Sequence, residues 1–461
     1  MASGRPRVAV VGAGPSGLYA AAALVASETA VDVDVLDRLP APYGLVRYGV
    51  APDHVKMKSV IRVLGRPFGP GEVRFVGGVR IGEGGIPLAA LREHYTAVVH
   101  AVGSAVDRRL GIPGEDLPGS YAATDFVNWY CGHPDSDAGA FTLEAESVAV
   151  VGVGNVAVDV ARILVRDPAE LRRTDVPQAV LEALEASKVR EVHVIGRRGP
   201  AQAKFTTKEL RELGELAGVD IEVRPGEVDS AEADPIGQSA QLADSDRRVR
   251  GNLAVIRDWA GRPPAGAERR LALRFWLRPE KIEGAERLSG LTVERTRLDE
   301  QGKLTGTGDY ETIPAQMVFR SVGYQSVPLA GVPFDERSYT VPNADGRVLG
   351  PGGAPLPGEY VAGWLKRGPT GVVGTNKSDA AATVRSLLAD LAGGGRVPAR
   401  GQSRDQFVKT LAGRGVRPVS YADWLRVEQA EAELGGALGR GERVKIGGRA
   451  AIEALCRPPV E

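Results

Sequence analysis

The stretch Gly12-Ala13-Gly14-Pro15-Ser16-Gly17 decides the fold of the first part of this chain. It follows the apolar run Val8–Val11, and an alanine-rich segment leads from it to a strand pattern, Val31-Asp32-Val33-Asp34-Val35-Leu36, that ends at Asp37. This order predicts a strand, glycine turn, helix and strand, the βαβ unit that binds dinucleotides. Glycines let the backbone approach a pyrophosphate, and the helix N-terminus supplies unpaired N–H groups. We therefore predict that Gly12, Gly14 and Gly17 bind a dinucleotide, rather than forming a purely structural turn.

A second glycine-rich loop, Gly152-Val153-Gly154-Asn155-Val156-Ala157, follows the apolar run Val148–Val151. After a predicted helix and a polar insertion over 167–187, the next predicted strand (189–195) ends at Arg197 and Arg198. An acid such as Asp37 at this position accepts hydrogen bonds from free ribose hydroxyls, whereas arginines neutralise a 2′-phosphate. A solvated basic turn is the alternative reading of the arginine pair. The contrast predicts one plain and one phosphorylated dinucleotide, which are FAD and NADP.

Composition excludes several classes of protein. The 461 residues allow two or three domains, and equal numbers of basic and acidic residues, 58 each, give no general attraction to nucleic acid. Cys131 and Cys456 build neither a disulfide framework nor a zinc site, which fits a reducing cytoplasm. The first strand pattern begins within eight residues and no apolar run reaches the length of a membrane span, so we expect a cytoplasmic protein without a signal peptide.

The order of patterns predicts an α/β fold of two Rossmann-like domains, each with helices on both faces of a sheet. The charged, glycine-rich segment 104–118 indicates a crossing into the second domain, and 318–324 indicates the return. We predict a first domain over 1–106, an inserted domain over 107–325, and the rest of the first domain over 326–461 with a helical tail. Within the insertion, we interpret 236–270 as exposed connections. The strand patterns at 271–277, 291–297 and 313–319 predict a meander or small sheet.

The late segment Gly371-Val372-Val373-Gly374-Thr375-Asn376-Lys377-Ser378 has the outline of a P-loop, but Asn376 breaks the required Gly-Lys pair. We interpret it as a glycine turn that opens a helix beside the flavin ring, where preorganised N–H groups stabilise the charge gained on reduction. Trp364 stands just before this turn at the end of a predicted strand. We predict that it contacts flavin, with a plain core aromatic as the alternative.

The few cysteines and histidines of the chain limit which redox groups the protein itself can provide. The chain has no Cys-x-x-Cys, so it has no dithiol to carry electrons from a flavin to a disulfide. Its two cysteines are too few to ligate an iron–sulfur cluster, and its five histidines are too scattered to suggest a metal site. The electron acceptor is therefore expected to be a separate molecule.

Over nearly its whole length the chain resembles the adrenodoxin-reductase-type ferredoxin–NADP reductases. No single loop is specific, but the combination of segments is. The resemblance rests on Val10–Ala20, Tyr43–His54, Gly154–Arg162, Arg197–Pro200, Phe205–Leu210 and Gly363–Asp379.

The resemblance implies a glutathione-reductase-like fold, with the NADP domain inserted in the FAD domain, and electron transfer between NADPH and a small iron–sulfur ferredoxin. It implies FAD contacts at Ser16, Asp37, Leu45, Ile81, Trp364, Gly371, Val372 and Val373. It implies NADP contacts at Arg108, Val153, Gly154, Asn155, Val156, Arg197, Arg198, Glu209 and Gly371. Many relatives carry Glu where this chain has Asp37, and the shorter acid still reaches a ribose hydroxyl.

By resemblance, His54 and Asp159 lie close to the flavin, where they steer protons or electrons or form a structural hydrogen bond. The expected mechanism is hydride transfer from NADPH to flavin, followed by single electrons to an acidic ferredoxin, with a haem monooxygenase as one option for the terminal acceptor. Arg247, Arg248 and Arg250 are candidates for the docking rim. The rival hypotheses are an NADPH-dependent flavin monooxygenase or oxidase acting on a small organic substrate, and a redox-sensing nucleotide-binding module.

Overall fold

The computed structural model describes residues 5–69, 71–371, 373–394 and 404–457. The chain divides into two compact units. The first comprises Met1–Val106, Cys131–Asp137 and Tyr324–Glu461, and the second comprises Asp107–Tyr130 and Ala138–Gly323. The second unit is thus inserted in the first.

The elements before the insertion are β1 (Arg7–Val11), α1 (Pro15–Val25), β2 (Asp32–Leu36), α2 (Leu45–Tyr48), α3 (Val55–Lys58), α4 (Ile61–Leu64), β3 (Val73–Val76), α5 (Leu88–His94) and β4 (Ala97–His100). The insertion begins with β5 (Val106–Asp107), β6 (Ser120–Ala122), α6 (Ala123–Tyr130), β7 (Ser147–Val151), α7 (Asn155–Val165), α8 (Pro168–Leu171), α9 (Gln178–Glu185), β8 (Glu191–Ile195), α10 (Thr207–Leu213), β9 (Val219–Val223) and α11 (Pro225–Val228).

It continues with α12 (Gln238–Ser245), α13 (Arg247–Ala260), β10 (Arg269–Arg274), β11 (Leu277–Gly284), β12 (Leu288–Leu298), β13 (Leu304–Pro314), β14 (Met317–Arg320) and β15 (Tyr324–Gln325). The last elements are β16 (Asn343–Ala344), β17 (Arg347–Leu349), β18 (Pro355–Val361), α14 (Trp364–Arg367), α15 (Val373–Ala392), α16 (Gln406–Gly413), α17 (Tyr421–Ala437) and α18 (Arg449–Cys456). A helix begins at Val373, as the glycine turn predicts.

The sheet of the first unit has the strand order β16-β17-β18-β4-β1-β2-β3. From β18 to β3 the strands are parallel, and β16 and β17 add an antiparallel edge. The order reverses at β1, which lies between β2 and β4, so the turn after β1 stands at the switch point where open α/β sheets bind ligands. The residues of β1 are all buried because helices cover both faces of such a sheet.

The parallel sheet of the second unit has the order β6-β14-β7-β8-β10-β9. Its switch point is at β7, between β8 and β14, so the second glycine loop has the same place in its sheet as the first. A separate antiparallel meander consists of β11, β12 and β13. The meander prediction is therefore wrong for 271–277 and 313–319, since strands β10 and β14 belong to the parallel sheet. They pair with strands that are distant in sequence, and a local pattern does not show such pairing.

The segment Cys131–Asp137 belongs to the first unit, so the second domain is not the continuous block predicted over 107–325. Cys131 Sγ donates to the carbonyl oxygen of Val50 at 3.3 Å. Asp135 forms ion pairs with Arg38 and Arg449, the latter at 2.5 Å. These contacts tie a short excursion of the chain to elements that begin and end the first unit.

The interpretation of 236–270 as exposed connections is wrong, because α12 and α13 lie within it. Helix α13 starts at the N-cap Asp246, whose carboxylate accepts from the Arg248 N–H at 2.7 Å. Val249, Leu253 and Ile256 recur at helical spacing and are buried. Arg247, Arg250 and Arg257 of the same helix are exposed, and the high arginine content hid the apolar pattern.

Packing of α13 can be tested with Leu253→Ala. Leu253 is 1% exposed, so its truncation should cost about 2–5 kcal/mol of unfolding free energy. Local opening should then speed tryptic cleavage at the neighbouring arginines, measured by limited proteolysis. Ala254→Ser, at an exposed position of the same helix, is the matched control. Equal cleavage of both variants and the wild type would show that α13 is not held by this face.

Candidate functional site

The glycine turn after β1 is set by close contact between backbones. Gly12 has φ +113°, and a Cβ there would lie 2.4 Å from the carbonyl oxygen of Ala101, just beyond β4. At Gly17, a Cβ would lie 1.9 Å from the carbonyl oxygen of Gly12. Both positions therefore require glycine, and α1 starts directly against the turn.

Gly14, the N-cap of α1, has no atom closer than ordinary van der Waals distance on its side-chain side. The nearest heavy atom to a Cβ built there is Gly44 Cα at 4.0 Å, and no side chain caps the helix. The first N–H groups of α1 are thus left for a ligand, and the helix dipole favours an anion there. Ser16 Oγ instead donates to Asn376 Oδ1 at 3.0 Å, which ties α1 to α15.

Asp37 follows β2 and holds the same turn. Its carboxylate accepts from the N–H groups of Ala13 at 2.7 Å and Leu39 at 2.9 Å. Burial raises the pKa of Asp37, and these two hydrogen bonds oppose the rise. Each carboxylate oxygen has a second lone pair, so Asp37 retains acceptor capacity for a hydroxyl.

The segment after β18 closes on this turn. Gly363 has φ +75°, and a Cβ there would lie 2.2 Å from Ser16 Oγ. Its N–H donates to Asp379 Oδ2 at 2.6 Å. Trp364 stacks on Tyr324 with ring centroids 5.6 Å apart, and its buried Nε1 has no partner among the described residues. An indole N–H aimed at no protein acceptor fits a group that the protein binds at this place.

The other predicted contacts of the first site have mixed environments. Leu45, the first residue of α2, is 39% exposed, whereas Ile81 is partly buried and packs against the core. Gly371 is exposed with φ +87°. Val372 lies outside the described residues, and so does the side chain of Val373.

A buried ionic cluster holds helix α2 in place, and the sequence analysis did not predict this cluster. Arg47 Nη2 lies 2.5 Å from Glu431 Oε1, and these side chains are 2% and 0% exposed. The Arg47 guanidinium also stacks over the Trp424 ring at 4.6 Å. Lys445 Nζ donates to the carbonyl oxygens of Arg47 at 2.5 Å and Cys131 at 3.1 Å. Nothing in the local pattern around 431 or 445 marks these charges as buried.

The second glycine turn repeats the first. Gly152 has φ +137°, and a Cβ there would lie 2.1 Å from the carbonyl oxygen of Ser321, just beyond β14. Nothing lies within 4 Å of a Cβ built on Gly154, the N-cap of α7, which no side chain caps. The carbonyl oxygen of Val153 accepts from the Lys204 N–H at 2.8 Å, and Val156 lies in the first turn of α7.

A polar chain joins this turn to α10. Asn155 Oδ1 accepts from the Thr206 N–H at 2.9 Å, and Thr206 Oγ1 donates to Glu209 Oε2 at 2.5 Å. Thr206 is also the N-cap of α10. Glu209 is 6% exposed, so its buried carboxylate holds Thr206 and, through Thr206, the second glycine turn.

Arg197 and Arg198 follow β8, and both are exposed. Their backbone is anchored: Thr296 Oγ1 donates to the Arg197 carbonyl oxygen at 2.8 Å, and the Trp276 N–H donates to that of Arg198 at 3.2 Å. Among the described residues, neither guanidinium has a hydrogen-bond or ion-pair partner. Two unpaired arginines on a fixed turn suit a phosphate dianion.

The remaining predicted residues are spread over both units. The Arg108 N–H donates to the Gly323 carbonyl oxygen at 2.9 Å, and its side chain is exposed. His54 precedes α3 in the first unit and is 9% exposed. Asp159 belongs to α7 in the second unit, where its carboxylate pairs with the buried Arg162 at 2.7 Å. Of the suggested docking arginines, Arg248 and Arg250 donate to carbonyl oxygens of their own unit.

The two glycine turns at the switch points of two parallel sheets are typical of a protein with two dinucleotide-binding folds, and comparison with known proteins specifies the family. The model of an NAD(P)-binding Rossmann-like domain matches residues 10–70. NADPH-ferredoxin reductase FprA of Mycobacterium tuberculosis is 43% identical over 96% of this chain and 98% of its own length. The mitochondrial NADPH:adrenodoxin oxidoreductase of Bos taurus is 37% identical over 94% of this chain and 89% of its own. The structure of M. tuberculosis FprA in complex with NADPH superimposes with a TM-score of 0.91 at 42% identity, over 98% of this chain and 100% of that one.

The chain belongs to the adrenodoxin-reductase-type NADPH–ferredoxin reductases. The predicted family and fold class are thereby confirmed. Among the described residues, no group of three or more His, Cys, Asp or Glu side chains is placed to hold a metal ion. No helix among them has the length and apolar character of a membrane span.

The buried cluster around Arg47 yields a prediction. Glu431→Gln keeps the volume but leaves the Arg47 charge unpaired, which should cost about 3–5 kcal/mol. We expect a lower melting temperature and faster release of FAD, followed by the rise in flavin fluorescence. Glu433→Gln is the control, since Glu433 is an exposed residue of the same helix. Unchanged FAD retention in Glu431→Gln would separate this cluster from the site.

Proposed function

We propose that this chain oxidises NADPH and passes the electrons, through FAD, one at a time to a small iron–sulfur ferredoxin. One observation carries the proposal: the two glycine turns have the same geometry, but the charged residues that lie beside them are of opposite sign. Asp37 stands beside the first, and the unpaired Arg197 and Arg198 stand beside the second. The family to which the chain belongs acts on an iron–sulfur protein with NADPH.

The first site has features that fit FAD. Gly14 and the uncapped start of α1 leave room and N–H donors for a pyrophosphate, while Asp37 offers an acceptor to ribose. The partnerless Trp364 Nε1 supports a flavin contact at the end of β18. We assign FAD binding to Gly12, Gly14, Ser16, Gly17, Asp37, Leu45, Ile81, Trp364 and Gly371–Val373.

The second site has features that fit NADP. Gly154 faces open space at the uncapped start of α7, and the arginine pair supplies two positive charges on an anchored turn. We assign NADP binding to Arg108, Val153, Gly154, Asn155, Val156, Arg197, Arg198 and Glu209, with Gly371 as a shared contact. Glu209 would act by holding Thr206 and, through it, Asn155.

When bound, FAD supplies the conversion between a two-electron hydride and single electrons. The chain's own contribution is to bind and orient, since no nucleophile or general-base pair is required. For His54 and Asp159 we propose a role close to the flavin in steering protons or electrons. We further propose a cytoplasmic location, supported by Cys131 and Cys456, two buried cysteines that form no disulfide with each other. A haem monooxygenase is proposed as one terminal acceptor.

An anaerobic titration tests this function. The purified protein should show flavin absorption bands that NADPH bleaches rapidly and NADH slowly. After NADPH is added, ferredoxin should be reduced quickly and molecular oxygen slowly, measured by stopped-flow absorbance. Reduction of oxygen as fast as ferredoxin would instead support a monooxygenase or oxidase, and absence of flavin bleaching by NADPH would support a redox-sensing module.

Removal of the arginine pair tests the second site. Charged hydrogen bonds are worth about 1.5–3 kcal/mol each, so Arg197→Ala/Arg198→Ala should lower kcat/KM for NADPH by at least about 100-fold. The value for NADH, which lacks the 2′-phosphate, should change less than about threefold. Arg211→Ala, at an exposed position of α10, is the control. Equal losses for both nucleotides would refute the assignment.

A further inference from the structure

The segment from His54 to Gly69 is basic and apolar, and it contains no acidic residue although the whole chain has 58 acidic and 58 basic residues. It forms α3, α4 and a 3-10 turn over Arg66–Phe68. Part of its outer face we call the basic–apolar patch, consisting of Val55, Lys56, Met57, Arg62, Val63 and Arg66.

The apolar members of the patch are unusually exposed. Val55 is 50%, Met57 40% and Val63 44% exposed. Single exposed apolar residues are common and need no explanation, but three of them within nine residues form a local concentration. Such groups rimmed by polar residues mark interaction surfaces.

The basic members have no counter-charges. Lys56, Arg62 and Arg66 are exposed, and none forms an ion pair or side-chain hydrogen bond with another described residue. Elsewhere many arginines are paired with acids, such as Arg257 with Asp229 at 2.7 Å and Arg166 with Glu170 at 2.7 Å. The patch thus presents net positive charge to solvent at a defined place.

The patch is held by the fold. Leu64 and Phe68 on the inner face are buried in the core of the first unit, and Ile61 packs against it. Helix α4 contacts α1, whose N-terminus is the first glycine turn. The loop that leads into α3 also meets this turn, since a Cβ on Gly44 would lie 2.8 Å from Gly14 Cα. The segment that carries the patch therefore packs directly against the elements that form the proposed FAD site.

We propose that the basic–apolar patch is a docking surface for the ferredoxin, met by acidic groups around an apolar spot on that protein. The inference rests on the proposed function. Charge complementarity speeds encounter and sets orientation, which suits a partner that must bind and leave at each electron transfer. Electron transfer also favours a docking surface on the first unit, to which we assign the flavin.

Other occupants fit less well. A second copy of the chain, related by a twofold axis, would bring like charges together. An anionic lipid surface is usually bound by a longer amphipathic helix, whereas α3 and α4 have four residues each. The short helices and compact patch favour a small protein.

Charge reversal tests the basic members. Lys56→Glu/Arg62→Glu/Arg66→Glu should lower kcat/KM for ferredoxin about 10- to 100-fold at low ionic strength. The loss should largely vanish at about 1 M salt, where the Debye length is about 3 Å. NADPH–ferricyanide reductase activity should be unchanged. The probe is adrenodoxin or a bacterial [2Fe–2S] ferredoxin, whichever the wild type reduces faster.

The matched control is Arg173→Glu/Arg287→Glu/Lys303→Glu, which alters net charge equally at three exposed positions of the second unit. It should leave ferredoxin kinetics within about twofold of the wild type, because it changes none of the charges of the patch that would face the ferredoxin. Equal losses from both triple variants would assign the effect to net charge and overturn the proposal. A greater loss from Arg247→Glu alone, with the patch variant unaffected, would overturn it too.

The apolar members have their own test. Met57→Ser/Val63→Ser should lower kcat/KM for ferredoxin about tenfold, and salt should not restore it, because lost apolar burial is not screened. Leu425→Ser/Leu438→Ser, at residues that are 44% and 43% exposed, should have no effect. Identical behaviour of the two pairs would contradict the apolar contact.

Two outcomes distinguish the remaining explanations. If wild-type protein floats with phosphatidylserine vesicles, the charge-reversed patch variant does not, and its ferredoxin kinetics are normal, the patch binds lipid and the docking proposal is wrong. If the wild type reduces ferricyanide with NADPH but no ferredoxin, the proposed function itself fails, whereas normal ferredoxin reduction by the patch variants refutes the docking surface alone.

Discussion

Both proposed nucleotide sites depend on one steric constraint, the contact between a glycine turn and the end of the neighbouring strand. A side chain at Gly12 would meet the carbonyl oxygen of Ala101, and one at Gly152 would meet that of Ser321. With glycine, the turn lies flat against the adjacent chain and the following helix starts directly over the strand edge. A larger residue would push the strand end away and move the helix N-terminus at which we propose the pyrophosphate binds.

On this shared scaffold, the charge at the end of the next strand distinguishes the two sites. Asp37 is held rigidly by the N–H groups of Ala13 and Leu39, so its remaining lone pairs have a defined direction. For Arg197 and Arg198 the backbone is anchored while the side chains are exposed. A fixed acceptor suits a pair of ribose hydroxyls, and two longer cationic side chains suit a phosphate that arrives and departs with each substrate.

The first site is completed by residues far away in sequence. Asn376 reaches Ser16, and Glu431 lies 384 positions beyond its partner Arg47. Because this ion pair and Lys445 are buried, each charge depends on its partners, and helix α2 is held by contacts from the C-terminal part of the chain. The last part of the chain thereby controls the geometry of a turn formed near its beginning.

The sequence by itself determined the two βαβ units, the helix that starts at Val373, and the residues most directly tied to glycine turns and strand ends. Such features follow from short-range backbone geometry and regular spacing, which are visible in a single segment. Only the tertiary structure revealed the amphipathic helix α13, the place of β10 and β14 in the parallel sheet, and the return of Cys131–Asp137 to the first unit. It also revealed the Arg47–Glu431 pair. These depend on which distant segments pack together, and no local pattern encodes the partner of a strand or of a buried charge.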